Sequence, residues 1–183
     1  AAAKFGWLRE LAEFQRHLKD PAEFLESVKI DLFPDEIYVF TPKGDVRMFP
    51  RSSTPIDFAY SIHTEVGNRC SGARANGQIV PLRYKMRNGD VIEVMTSPQQ
   101  QPSKDWLDFT VTTRARNRVR AYLRSEQREK SINLGRELLD SAMREGGMSL
   151  ARLQKNDDEM RRLWEAHRTG SWEELLLTIG YGK

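Results

Sequence analysis

The chain has 183 residues, 39% hydrophobic and 30% charged, the balance of a soluble protein with one compact domain or two small ones. Its 29 basic and 26 acidic residues leave a formal charge of +3, so global charge by itself designates no nucleic-acid partner. Apolar runs such as Leu175, Leu176 and Leu177 fall far short of the roughly 20 residues of a membrane span, and the first residues carry no signal-peptide core, so a cytoplasmic protein without membrane association is expected. One cysteine, Cys70, can make no internal disulfide and supplies no paired thiolates for zinc, which leaves burial to hold the fold.

In chain order, Trp7, Leu8, Leu11, Phe14 and Leu18 recur at helical spacing opposite Arg9, Glu13, Arg16 and Lys19, predicting an amphipathic helix. Asp20, Pro21 and Glu23 then read as an N-cap, a first-turn proline and a capping glutamate for a short helix with Phe24, Leu25 and Val28. These elements form a helical tail over residues 1–33.

From residue 34 to 97 the period changes to two. Residues 37–41, a turn at 42–45 and residues 46–49 predict a hairpin. Thr54, Pro55 and Asp57 mark a helix start, with Thr54 capping and Asp57 accepting from first-turn amides, and Phe58, Ala59 and Ile62 facing inward. Turn signals at Asn76-Gly77 and Asn88-Gly89 separate strands over 70–75, 78–82 and 91–96. The order β-β-α-β-β-β, with a helix laid across a hairpin and a returning last strand, describes an α+β fold of β-grasp, ubiquitin-like type.

Residues 98–102 read as a linker, and residues 98–183 as an α-helical domain. Ser103 can cap a long helix running past Arg128, with breaks at Gly146-Gly147 and Gly170. A last helix opens on Ser171, Trp172, Glu173 and Glu174, a capping box, and stops at Gly180.

Few residues suggest chemistry. Acidic neighbours such as Asp157-Asp158 and Glu173-Glu174 point about 100° apart on a helix and read as solvated faces. There is no glycine-rich phosphate loop, and scattered histidines with one cysteine make no metal set, so neither cofactor nor metal is expected. His63 follows the predicted helix, where Gly67 and Asn68 suggest an exposed turn. An imidazole there either interacts with terminal helix carbonyls or stacks on and hydrogen-bonds a nucleobase. Arg69 is suited to bidentate phosphate contact or to simple solvation, while Thr64 offers a hydroxyl and Gly67 close backbone approach. Arg116, Arg120, Arg124 and Arg128 recur every fourth residue as a drifting stripe, fit either to hold RNA phosphates or to form a solvated face beside Glu126 and Glu129. Cys70 reads as a small core hydrophobe, and Trp106, Trp164 and Trp172 as core or interdomain anchors.

The stretches DEIYVFTPKGDV, STPIDFAYSIHTEVGNRC and NGQIVPLRYKMRNGDVIEVMTS resemble the TGS module of long Rel/SpoT proteins, which make and degrade the alarmone (p)ppGpp. KDWLDFTVTTRARNRVRAYLR resembles the helical region that follows it, and GWLRELAEFQRHLKDPAEFLESVKIDLF the tail joining the synthetase domain to TGS. The resemblance implies that His63, with Arg69, Thr64 and Gly67, contacts the 3′ CCA end of uncharged tRNA on the ribosome and thereby controls upstream synthetase/hydrolase domains. It implies no active site within this stretch, because the family's hydrolase uses a His-Asp pair and here His17, His63 and His167 precede Leu18, Thr64 and Arg168. Two alternatives stay open: a module binding acyl carrier protein, as in SpoT-like relatives, and an intramolecular clamp on the upstream enzyme.

Overall fold

The computed structural model describes residues 35–182; the helical tail expected over residues 1–33 lies outside them. Strands β1 (Glu36–Phe40) and β2 (Val46–Pro50) form the expected antiparallel hairpin, with Ile37 opposite Phe49 and Val39 opposite Arg47. The turn closes through Thr41 N–H donating to the Asp45 carbonyl at 2.8 Å, with Gly44 at φ 88°, a conformation that costs glycine little. Helix α1 (Pro55–Ile62) follows, then a short helix α2 (Thr64–Asn68). Strand β3 (Cys70–Ala75) lies between β4 (Gln78–Val80) and β5 (Ile92–Thr96), antiparallel to both. The last strand returns beside the first: Phe40 bridges Val91 in parallel, and Phe40 N–H donates to the Asp90 carbonyl. This return alongside β1 is the defining step of a β-grasp, and the fold is mixed α+β.

The core lies between the sheets and α1. Ile37, Val39, Phe49, Phe58, Ala75, Met86 and Ile92 form one buried cluster, with Phe49 and Phe58 rings 5.9 Å apart. Alternation on the strands and helical spacing on α1 deliver these side chains to one side, and their burial is the main stabilising term. Ile62, expected inward, is 41% exposed, because α1 ends there and the chain turns away into α2.

Beyond the sheet, the long helix does not begin at Ser103. A short helix α3 (Trp106–Phe109) comes first, then a break, then α4 (Thr113–Glu145). Thr110, Val111 and Thr112 fill the break: the Thr110 hydroxyl donates back to the Trp106 carbonyl at 2.7 Å, and Asp57 collects the Val111 and Thr112 amides. Three consecutive β-branched residues with an external acceptor favour a break over continued helix. Helices α5 (Leu150–Leu153), α6 (Asp157–Ala166) and α7 (Trp172–Gly180) complete the chain, with breaks at the expected glycines and a further break at residues 154–156, where Asn156 caps α6. Ser171 Oγ accepts from Glu174 N–H, while the Glu174 carboxylate reaches the Gly170 amide one residue before the usual box position.

The chain divides into two compact units, one ending at Ala121 and the other beginning at Tyr122. In the first, Ala115 and Val119 of α4 are fully buried. In the second, α4 and α7 cross closely: a side chain at Gly135 would collide with the Leu176 carbonyl, and one at Gly180 with that of Ser131. Among the described residues no helix is long and apolar enough to cross a membrane.

Candidate nucleic-acid interface

The loop expected to carry recognition, residues 63–69, is the short helix α2 rather than an open turn. His63 ends α1 and starts α2: its N–H donates to the Ala59 carbonyl at 3.3 Å, and its Nδ1 accepts from Glu65 N–H at 3.2 Å. The backbone there is extended (φ −160°, ψ 152°), as an N-cap requires. The ring is exposed.

Gly67 is helical and buried, and the group that approaches its α-carbon is the Tyr60 ring, which any side chain there would strike. The expected exposed turn at Gly67 and Asn68 is thus corrected, and the missing side chain serves internal packing. Tyr60 Oη donates to Asn68 Oδ1 at 2.8 Å, tying the far end of α2 to α1. The tyrosine brace had a sequence signal, an aromatic seven residues before a glycine, but only the turn of chain at His63 brings the two together.

Arg69 is half-exposed, with Nε on Glu65 Oε2 at 3.2 Å and Nη1 donating to the Pro98 carbonyl at 3.1 Å. Part of the guanidinium fork is therefore already engaged. Thr64 opens α2 and is partly exposed. His63, Thr64 and Arg69 thus stand on one short segment, packed through Gly67 against the Tyr60 ring.

The four arginines of the stripe differ in their surroundings. Arg116 is turned into the fold, its Nη1 donating to the carbonyls of Leu107 at 2.7 Å and Thr110 at 3.1 Å. It satisfies the carbonyl end of α3, a use of arginine that four-residue spacing does not reveal. Arg128 pairs with Glu173 at 3.5 Å, both exposed. Arg120 and Arg124 are exposed and have no ion pair among the described residues.

Asp57 holds the start of α4 to the sheet unit. Its carboxylate is buried and accepts from Thr54 N–H and Oγ1 at 2.9 and 3.0 Å, from Thr112 N–H and Oγ1 at 2.8 and 2.7 Å, and from Val111 N–H at 3.1 Å. The sequence indicates only the first of these roles. Arg83 lies over the Phe109 ring at 5.7 Å, a second tie to α3. Trp106 is buried as expected of an anchor, whereas Trp164 and Trp172 are half-buried. Cys70 is fully buried, and burial pushes its thiol up to about 11.

A β-grasp whose short second helix is capped by His63, followed by a long helix, defines a small module of TGS type. Residues 37–96 match the TGS domain family and residues 122–183 the RelA/SpoT AH domain family. The chain is 57% identical to a GTP pyrophosphokinase of Myxococcus xanthus, over 98% of this chain and 24% of that one. It is 47% identical to the bifunctional (p)ppGpp synthase/hydrolase RelA of Mycobacterium tuberculosis, over 96% of this chain and 24% of that protein. With a guanosine-3′,5′-bis(diphosphate) 3′-pyrophosphohydrolase of Aquifex aeolicus it shares 43% identity over its whole length and 25% of the relative. The chain belongs to the Rel/SpoT family, and spans about a quarter of the length of these curated relatives.

Proposed function

We propose that this chain is the sensing part of a stringent-response (p)ppGpp synthetase/hydrolase, in which residues 63–69 engage the 3′ CCA end of uncharged tRNA on the ribosome and control upstream catalytic domains in the cytoplasm. The observation that carries the reading is the placement of His63 and Arg69 at opposite ends of one short, internally braced helix, both exposed. Rigid presentation lowers the ordering cost of gripping a flexible single-stranded end. Arg120 and Arg124 supply sequence-independent phosphate attraction. The stretch works by binding alone and takes no cofactor; catalysis belongs to other parts of the parent protein.

The test is titration of the purified chain with uncharged tRNA and with the same tRNA lacking its CCA end, at two salt concentrations, for wild type and His63→Ala. The wild type should prefer the intact end, and His63→Ala should cost roughly 1–2 kcal/mol of that preference, with only a small fall in melting temperature from the lost cap of α2, whose freed Glu65 N–H is open to water. Equal binding of both RNAs by the wild type would refute the reading. A parallel titration with acyl carrier protein decides the protein-interaction alternative. Binding of neither partner would leave an intramolecular clamp.

A further inference from the structure

We propose that a second surface of this chain, the outward side of residues 83–87, holds the sugar-phosphate backbone of duplex RNA. It lies at the end of α1 opposite His63 and goes beyond the proposed function, which concerns the unpaired end of a tRNA.

Between the turns at 82–83 and 88–89 the chain is neither helix nor strand, yet its inward side chains are fastened. Met86 is buried in the core cluster, and its N–H donates to the Ser53 carbonyl at 2.9 Å, just ahead of α1. Tyr84 packs against the same cluster, and its Oη donates to Asp90 Oδ2 at 2.8 Å, the oxygen that also accepts Arg87 N–H at 2.9 Å. With Tyr84 and Met86 turned in, Arg83, Lys85 and Arg87 emerge between them, and all three are exposed. Alternate residues of an extended stretch stand roughly 6–7 Å apart, comparable with the separation of successive phosphates along one strand of a nucleic acid.

Three like charges this close repel one another, and among the described residues none of them takes part in an ion pair. Asp90 is buried, and its carboxylate is occupied by Tyr84, Asn76 Nδ2 and the Arg87 amide. Asp108 precedes Phe109, whose ring lies 5.7 Å from the Arg83 guanidinium, but makes no ion pair with it. Stacking of this kind orders a guanidinium while leaving its N–H edge free for phosphate. The start of α4, tied to the same end of α1 by the Asp57 bonds to Val111 and Thr112, adds Arg114. Arg114 is exposed, in a first turn that holds no acidic residue, where the helix dipole disfavours a cation. A polyanion relieves both penalties, and a row of cations already ordered by the core suits evenly spaced phosphates, whose counterions are released on binding.

The test measures binding of the purified chain to a blunt RNA duplex with no unpaired end, over a salt series, for wild type and Lys85→Gln/Arg87→Gln. Glutamine keeps part of each stem, and the inward contacts of the segment use none of the replaced groups, so the melting temperature should hold. We expect the double variant to lose roughly tenfold in affinity and about one unit of salt slope for each lost phosphate contact. Poly-glutamate, the probe for an acidic protein surface, should bind much more weakly than the duplex. Failure of the wild type to bind the duplex, or a double variant with wild-type affinity and slope, overturns the proposal. So does poly-glutamate bound as tightly as RNA through the same two residues. Should the double variant melt early, Lys85→Gln alone gives the same reading at about half the size. These variants should keep the wild-type ratio of binding to intact and CCA-less tRNA, so a failure of end recognition and a failure of this surface register separately.

Discussion

Cys70 sits fully buried at the start of β3, and burial raises its thiol from 9.0 to about 11, opposed by a smaller contribution from the backbone at Gly72. The protonated form is therefore favoured in the folded state, and the stability this confers is complete below about pH 9 and lost as pH climbs towards 11. Tyr38 and Tyr84 shift in the same direction, Tyr38 by burial and then Glu36, Tyr84 by burial and then its bond to Asp90. Denaturant melts should accordingly show stability falling with pH above 9, less steeply in Cys70→Ala. A thiol reagent at pH 8 should label Cys70 only as fast as the protein opens. Tyr38 adds another residue-scale expectation: among the described residues its buried hydroxyl has no hydrogen-bond partner. Tyr38→Phe should then leave stability unchanged or raise it by up to about 1 kcal/mol in urea melts; a clear loss would show that the hydroxyl is satisfied after all.

At the scale of elements, the pattern of the chain is most readable where local chemistry suffices. The hairpin at 36–50, the helix beginning at Pro55 and the breaks near Gly146 and Gly170 all follow from alternation, capping residues and glycine. Two elements are not local in origin. Helix α2 was hidden because Gly67 and Asn68 read as turn residues, and only the Tyr60 ring, which occupies the space a side chain at 67 would need, explains the glycine as a packing requirement. The break at 110–112 was hidden because its acceptor, Asp57, lies 54 residues earlier. Among the candidate residues, type and position single out His63 and Arg69, while the Glu65 contacts that orient them and the inward turn of Arg116 depend on three-dimensional neighbours. Gly67→Ala should therefore force the Tyr60 ring aside and destabilise by about 1–3 kcal/mol. It should weaken RNA binding beyond that of Tyr60→Phe, which removes the hydroxyl bonded to Asn68; calorimetric melts alongside titrations would show it. Asp57→Ala strips several buried donors of their acceptor and should cost about 2–4 kcal/mol in the same melts.

Over the whole molecule, the near balance of 29 basic and 26 acidic residues makes long-range attraction for RNA weak unless particular cations are left unneutralised. Positions four apart advance by about 40° around a helix, so the stripe from Arg116 to Arg128 cannot present one common face. The contacts agree: Arg116 spends its donors on the Leu107 and Thr110 carbonyls, and Arg128 faces Glu173. An exposed pair such as Arg128–Glu173 contributes little to stability and is screened by salt, but it lowers the local positive field. Of the stripe, the cations left for phosphate are then Arg120 and Arg124. Replacing both by Ala should reduce the slope of log affinity against log salt by up to about one unit per lost phosphate contact, with no change in melting temperature and none in the ratio of binding to intact and CCA-less tRNA. Arg116→Ala should do the reverse, leaving the salt slope unchanged while costing about 1–2 kcal/mol of stability, since two buried-side carbonyls lose a charged donor. Salt titrations of the double variant and of Arg116→Ala, run beside thermal melts, separate the two outcomes. A slope that moves with Arg116 and not with Arg120 and Arg124 would assign the RNA-facing charge to the opposite side of α4.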